Sequence, residues 1–320
     1  MTERLLLTGG LGYIGGRLVE HLKSAGGFEL RLASRRAPEA RPAWAAGLDV
    51  VRSNPLEIVD LDRLCHGITA VIHLAGANEL LSAEDPGAAL RDTALSTLML
   101  LEAAERQGVG RFVYFSTAHV YGAPLVGRID EASLPRPLHP YAITHRAAED
   151  FVLAATARRA LAGLVLRVSN GIGAPADASI DRWTLVGNDL CRQAVTGRRL
   201  VLRSSGLQRR DCLGLGEIAR AVEHFLRRPE TWTDGLFNLG SGRSRSILKI
   251  AELVAERSRA VLGHSTPIER PPATAGEAAA DLDFRIDKLK RSGFAPNPDL
   301  EAEIDRTLLL CRDHAATVNR

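Results

Sequence analysis

"RLLLTGGLGYIGG" (residues 4–16) decides how this chain is read. A run of leucines ends in a glycine-rich turn, and the turn opens onto a segment with helical spacing. Gly9, Gly12 and Gly15 stand three residues apart. Glycine lets a backbone turn tightly and approach a pyrophosphate, while the unpaired N–H groups of a helix start attract its charge. A purely structural turn is the other reading of such glycines. Their place between a strand and a helix points to a dinucleotide site, in which Tyr13 and Ile14 are counted with the three glycines.

Working outward, strand-like apolar runs alternate with helical ones. "FELRLAS" (28–34), "LDVVRS" (48–53), "AVIHLAG" (70–76) and "RFVYFST" (111–117) read as strands; helices are expected from about Ile14 and through "ALRDTALSTLMLLEAAERQG". This βαβ alternation predicts an α/β fold with a doubly wound parallel sheet of the Rossmann kind. After a helix containing Tyr141, "GLVLRVSN" (163–170) adds one more buried strand. Beyond it the composition turns loop-like and Pro-rich, as in "PIERPPATAG". The expected division is a dinucleotide-binding domain over 1–170 and a smaller mixed substrate lobe over 171–320, some segments of which return to the Rossmann core.

At 320 residues with 45% apolar and 25% charged residues, the chain is long enough for one large domain or two unequal ones. The net charge of +3 is carried mainly by arginine, since the only lysines are Lys23, Lys249, Lys288 and Lys290. Because the arginines are interspersed with acids, no nucleic-acid-binding stripe is expected. Cys65, Cys191, Cys212 and Cys311 form no Cys-x-x-Cys pair, so neither a metal site nor a disulfide framework is predicted. No apolar window is long enough for a membrane span and no leader segment is evident, which makes a cytoplasmic location the expectation.

The second strand bears on cofactor choice. An acid usually ends it when the ribose carries a free 2′-hydroxyl, yet here it ends in Ser34, Arg35 and Arg36. An arginine attracts a 2′-phosphate where an acid would repel it, so NADP(H) is favoured over NAD(H). Solvated arginines after a strand are the alternative explanation.

Taken in order, "TGGLGYIGG", "HLAG", "FSTAHVYG", "PYAITH", "LRVSNGIGAP", "RRDCLGLGEIARA", "FNLGSG" and "KLKRSGFAP" resemble the extended short-chain dehydrogenase/reductases, in particular their nucleotide-sugar epimerases, dehydratases and reductases. The resemblance spans nearly the whole chain. It implies that Asn54, with Pro55, lies near the adenine; that Leu74, Ala75 and Gly76 line the cofactor; and that Thr117 and Tyr141 are catalytic hydroxyls. It also implies a homodimer formed by helices near 89–107 and 141–158. For the substrate, it places Arg210 on a nucleotide diphosphate and Asn170 facing the sugar nucleotide. A second diphosphate arginine of the family aligns poorly, so that either Arg270 substitutes or the contact is absent, and Cys212 stands where an aromatic is usual.

Two further departures are informative. The family's Tyr-x-x-x-Lys lysine is replaced by His145. In the family that lysine binds the nicotinamide ribose and lowers the tyrosine pKa; a neutral histidine offers the first service without the second. Ketone reduction needs an acid, which a neutral Tyr141 is, whereas alcohol oxidation needs a base. His145 therefore either tilts the chemistry toward reduction or merely replaces a ribose ligand. Ala118 and His119 occupy the positions of the dehydratases' Asp-Glu pair, which argues against elimination of water. His119 reads as a pocket wall or as an additional acid/base. The expected function is reduction of a nucleotide-activated ketosugar. The rivals are a 4-epimerase with tightly held NAD and a catalytically weakened cofactor-binding or regulatory protein.

Overall fold

The structure, a computed structural model, describes residues 2–35, 41–274, 277 and 280–318. Its centre is a seven-stranded sheet in the order Leu236–Leu239, Ala162–Val168, Arg111–Thr117, Ala70–His73, Glu3–Thr8, Phe28–Ser34, Asp49–Arg52. Every pairing in it is parallel, in registers such as Leu5↔Leu30 and Leu5↔Ala70. The chain moves outward from Glu3–Thr8 on one side, then resumes on the other with Ala70–His73. That reversal opens a crevice at the carboxyl ends of these two strands, where ligands of doubly wound sheets bind.

The strands are buried on both faces, which is why they read as continuous apolar runs. Alternation divides them: Leu5, Leu7, Val113, Phe115, Leu164 and Leu166 enter one core, while Leu6, Phe112, Tyr114 and Val165 enter the other. Tyr114 therefore points to the side covered by the helices Ser96–Arg106 and Pro140–Ala157. The expected helix around 89–108 is built in three pieces. Pro86–Ala89 and Ser96–Arg106 are α-helical, and the turn Leu90–Leu95 between them is a π-helix. Such bulges cluster at functional sites. Here the π-turn presents the Thr93 hydroxyl to the Ala77 N–H at 3.1 Å, anchoring the loop that follows Ala70–His73.

The later part of the chain supplies both a returning strand and a separate layer. Leu236–Leu239 pairs with Ala162–Val168 at the sheet edge, and the helix Leu215–Arg227 packs on the first helix, Tyr13–Ala25. A three-stranded sheet of Asn170–Ile172, Arg209–Gly214 and Ser244–Ser246 lies apart, with its own core under the helices Val186–Thr196, Ile247–Leu262 and Glu301–Asp313. Arg17 ties these parts together. Buried on the first helix, it makes a two-pronged ion pair with Glu303, both contacts at 2.8 Å, and donates to the Ala174 carbonyl at 2.9 Å. Glu303 also accepts the N–H of Gly216 at 2.7 Å.

A second buried pair seats the helix Pro140–Ala157. Glu149, fully buried on that helix, receives Arg167 Nη2 at 2.7 Å and the Ser116 hydroxyl at 2.5 Å, both from central strands. Arg167 is also stacked 4.7 Å from the Tyr121 ring centroid. Removing one partner of such a buried pair typically costs about 3–5 kcal/mol, so the pair strongly resists displacement of the helix that carries Tyr141. Among the described residues, no helix is long and apolar enough to cross a membrane.

Candidate active site

The glycine-rich turn has the geometry of an anion cradle. Gly9 adopts φ +69°, and a Cβ there would lie 2.9 Å from the backbone N of Ala75; at Gly15 a Cβ would lie 2.2 Å from the Gly9 carbonyl oxygen. Only glycine permits this approach of the turn to Leu74–Ala75. Gly12 begins the first helix with no side-chain cap, so the N–H groups of its first turn are available to a diphosphate. Gly76 is exposed beside Ala75, and Ile14 is partly buried. The Tyr13 side chain is turned elsewhere: its hydroxyl donates to Gly173 O at 3.0 Å, leaving only its backbone at the turn.

Thr117 ends the strand Arg111–Thr117, and Tyr141 opens the helix that follows Pro140, next to one another at the carboxyl edge of the sheet. The Thr117 hydroxyl lies close enough to favour ionisation of the Tyr141 phenol. Burial, reinforced by Glu79, pushes the Tyr141 phenol well above its ordinary range, while Arg182 and Thr117 pull weakly the other way. One turn along, His145 packs edge-on against Tyr141, ring centroids 4.5 Å apart. Burial pushes the His145 pKa down to about 4, so the imidazole is neutral at physiological pH. His145 thus carries no charge with which to ionise Tyr141.

The remaining sequence-derived residues fall into two groups. His119 is half-buried close to Arg210, Glu79 and His139, and burial lowers its pKa. Arg210 lies on the strand Arg209–Gly214, and Asn170 donates to the Asp211 carbonyl on that strand at 2.9 Å. Arg270 is engaged with the Ser205 carbonyl at 2.8 Å, and Cys212 is buried in the core beneath the small sheet. At the other end of the crevice, Ser34 ends its strand and Arg35 follows it, 77% exposed and only loosely held by Asp92 at 3.4 Å. Arg36 lies outside the described residues. Asn54 is exposed just past the strand Asp49–Arg52, its side chain accepting the Leu56 N–H at 3.1 Å, with Pro55 beside it.

The sequence reading missed an ion pair across the crevice. Glu79 opens a short helix after Asn78, Arg182 comes from the loop before Val186–Thr196, and they meet at 3.5 Å. Both act electrostatically on Tyr141. No motif marks either residue, since each is a common surface type, one at a helix start and the other on a loop; only the fold brings them to the phenol.

A doubly wound sheet with a glycine cradle at its switch point, and a Thr–Tyr hydroxyl pair beside it, defines a nicotinamide-dinucleotide-dependent enzyme. The chain belongs to the NAD dependent epimerase/dehydratase family, which its residues 5–240 match. It is 30% identical to a UDP-glucose 4-epimerase of Azospirillum brasilense over 96% of this chain and 91% of that protein. It is 31% identical to a GDP-6-deoxy-D-mannose reductase of Pseudomonas aeruginosa over 80% of each. Among solved structures, RMD from Pseudomonas aeruginosa complexed with NADPH superposes with a TM-score of 0.77, at 24% identity over 98% of this chain and 99% of that one.

Proposed function

We propose that this enzyme reduces a keto group on a nucleotide-activated sugar, using NADP(H) in preference to NAD(H). The observation that carries the reading is the buried, neutral His145 against Tyr141, which leaves the phenol protonated. A bound nicotinamide supplies the hydride. Tyr141 donates its proton to the carbonyl oxygen as it becomes an alkoxide, Thr117 holds that oxygen by a hydrogen bond, and His145 binds the ribose. Gly9, Gly12 and Gly15 hold the diphosphate of the dinucleotide, and Arg35 reaches its 2′-phosphate. Arg210 binds the substrate diphosphate through its planar fork, with Asn170 and His119 on the sugar side. The test is initial rates with 4-keto nucleotide sugars and NADPH near neutral pH. Turnover of none of them, alongside interconversion of the parent sugars, would overturn the assignment.

The second reading is a 4-epimerase with tightly held NAD, supported by the resemblance to the Azospirillum epimerase along almost the whole chain. Stoichiometric NAD released from the denatured, purified protein would favour it. We also infer a homodimer. Leu90, Leu95, Ile143 and Phe151 are 53%, 40%, 48% and 39% exposed on the adjoining helical segments Leu90–Leu95 and Pro140–Ala157, a patch that a second copy would cover. Sedimentation should give a dimer, and Ile143→Glu a monomer.

A further inference from the structure

Behind His145 lies a second phenol. Tyr114 is 1% exposed, and its hydroxyl is 2.7 Å from His145 Nδ1. The strand position needs only an apolar ring, so a hydroxyl buried there requires a partner. Next to Tyr114, with ring centroids 5.8 Å apart, stands buried His73. Its Nε2 is 2.9 Å from Thr97 Oγ1 and its Nδ1 is 2.5 Å from Thr8 Oγ1.

Counting protons settles the inner part of this chain. Thr97 donates its own proton to the Thr93 carbonyl at 2.5 Å, so the proton between His73 and Thr97 belongs to His73 Nε2. His73 Nδ1 is then bare and receives the Thr8 hydroxyl, whose oxygen accepts the Ala75 N–H at 3.3 Å. The phenol of Tyr114 has one proton to place. Thr97 is one acceptor within its reach, but that oxygen already takes the His73 N–H. His145 Nδ1 at 2.7 Å is the stronger base and the closer fit.

We propose that Tyr114 is a positioning residue: by donating to Nδ1 it fixes His145 as the Nε2–H tautomer, so that the imidazole offers the crevice a hydrogen-bond donor, as a lysine would, but without a charge. Among the described residues Nε2 has no hydrogen-bond partner, which leaves it for a ligand hydroxyl. This rests on the reading of His145 as the ribose ligand. The strand and helix positions are thereby linked: the histidine does the work of the missing lysine only with a phenol behind it.

Two measurements test this. In the cofactor-free protein, two-bond 1H–15N correlation spectra should show His145 with Nε2 protonated and Nδ1 bare; an Nδ1–H signal would overturn the assignment, since the phenol's proton would then go to Thr97. In a double-mutant cycle, Tyr114→Phe should weaken NADPH binding about three- to tenfold, the scale of one neutral hydrogen bond, and should have no further effect in a His145→Ala background. Equal weakening in both backgrounds would show that Tyr114 acts on the fold and not through His145. If His145→Ala alone leaves NADPH affinity unchanged, the ribose role of His145 fails, while the spectrum still decides the tautomer.

Discussion

Placing a lysine at position 145 should move the ionisation of Tyr141 by an amount that the structure bounds. In His145→Lys a unit positive charge replaces a neutral ring whose centroid lies 4.5 Å from that of Tyr141. At that separation and an effective dielectric constant of about 20, the attraction for a phenolate is about 4 kcal/mol as an upper bound, or roughly 2–3 pKa units. The buried ammonium would have the Tyr114 oxygen as acceptor, in place of Nδ1 as receiver. The sign follows from the roles. Burial holds the phenol protonated far into the alkaline range, so reduction should be flat near neutrality and alcohol oxidation should be slow and rise with pH. With lysine present the phenolate forms at lower pH, so the oxidation limb and the alkaline decline of reduction should both shift down by about 2 units. The assay is matched pH–rate profiles in both directions with saturating cofactor. If both profiles stay where the wild type has them, the group at 145 does not tune the phenol, and the preference for reduction over epimerisation loses its main support.

Arg35→Ala should weaken NADP(H) binding by about 1–3 kcal/mol and leave NAD(H) affinity unchanged, measured by titration calorimetry; equal loss for both would refute the 2′-phosphate assignment. Tyr141→Phe should lower turnover about 100-fold or more with cofactor affinity nearly intact, and an active variant would move the acid to His119. Glu79→Gln and Arg182→Gln should shift the alkaline limb of reduction in opposite directions, the first to lower pH and the second to higher, because Glu79 raises the Tyr141 pKa and Arg182 lowers it. Shifts of the same sign would mean that the two residues act on the fold and not on the phenol.

The parallel sheet was legible because strands buried on both faces produce apolar runs that survive as a pattern in one dimension. The glycine turn was legible because its backbone geometry excludes other residues at Gly9 and Gly15. Leu236–Leu239 was visible only as part of a motif, since four residues carry no period of their own. The π-turn was hidden for a different reason: Leu90–Leu95 has ordinary helical composition, and its distortion comes from Thr93 holding the Ala77 loop. In the site, the four-residue spacing of Tyr141 and His145 on one helix was visible in the sequence, whereas Thr117 was singled out only by the family resemblance. Tyr114 reads in sequence as one more ring in an apolar strand, and its hydroxyl acquires meaning only when His145, 31 positions away, comes within 2.7 Å. Glu79 and Arg182, 103 positions apart, illustrate the same limit on the surface.

The Arg17–Glu303 pair has a consequence for how the protein is made. Glu303 is synthesised 286 residues after Arg17, yet the helix that follows the glycine turn buries its guanidinium against that carboxylate. Until the helix Glu301–Asp313 is synthesised, a nascent chain would have to leave Arg17 hydrated or bury it without its counter-charge. Dinucleotide capture should therefore await synthesis of that helix: nascent chains stalled before residue 303 should engage chaperones and resist stabilisation by added NADPH, whereas chains that include Glu303 should not.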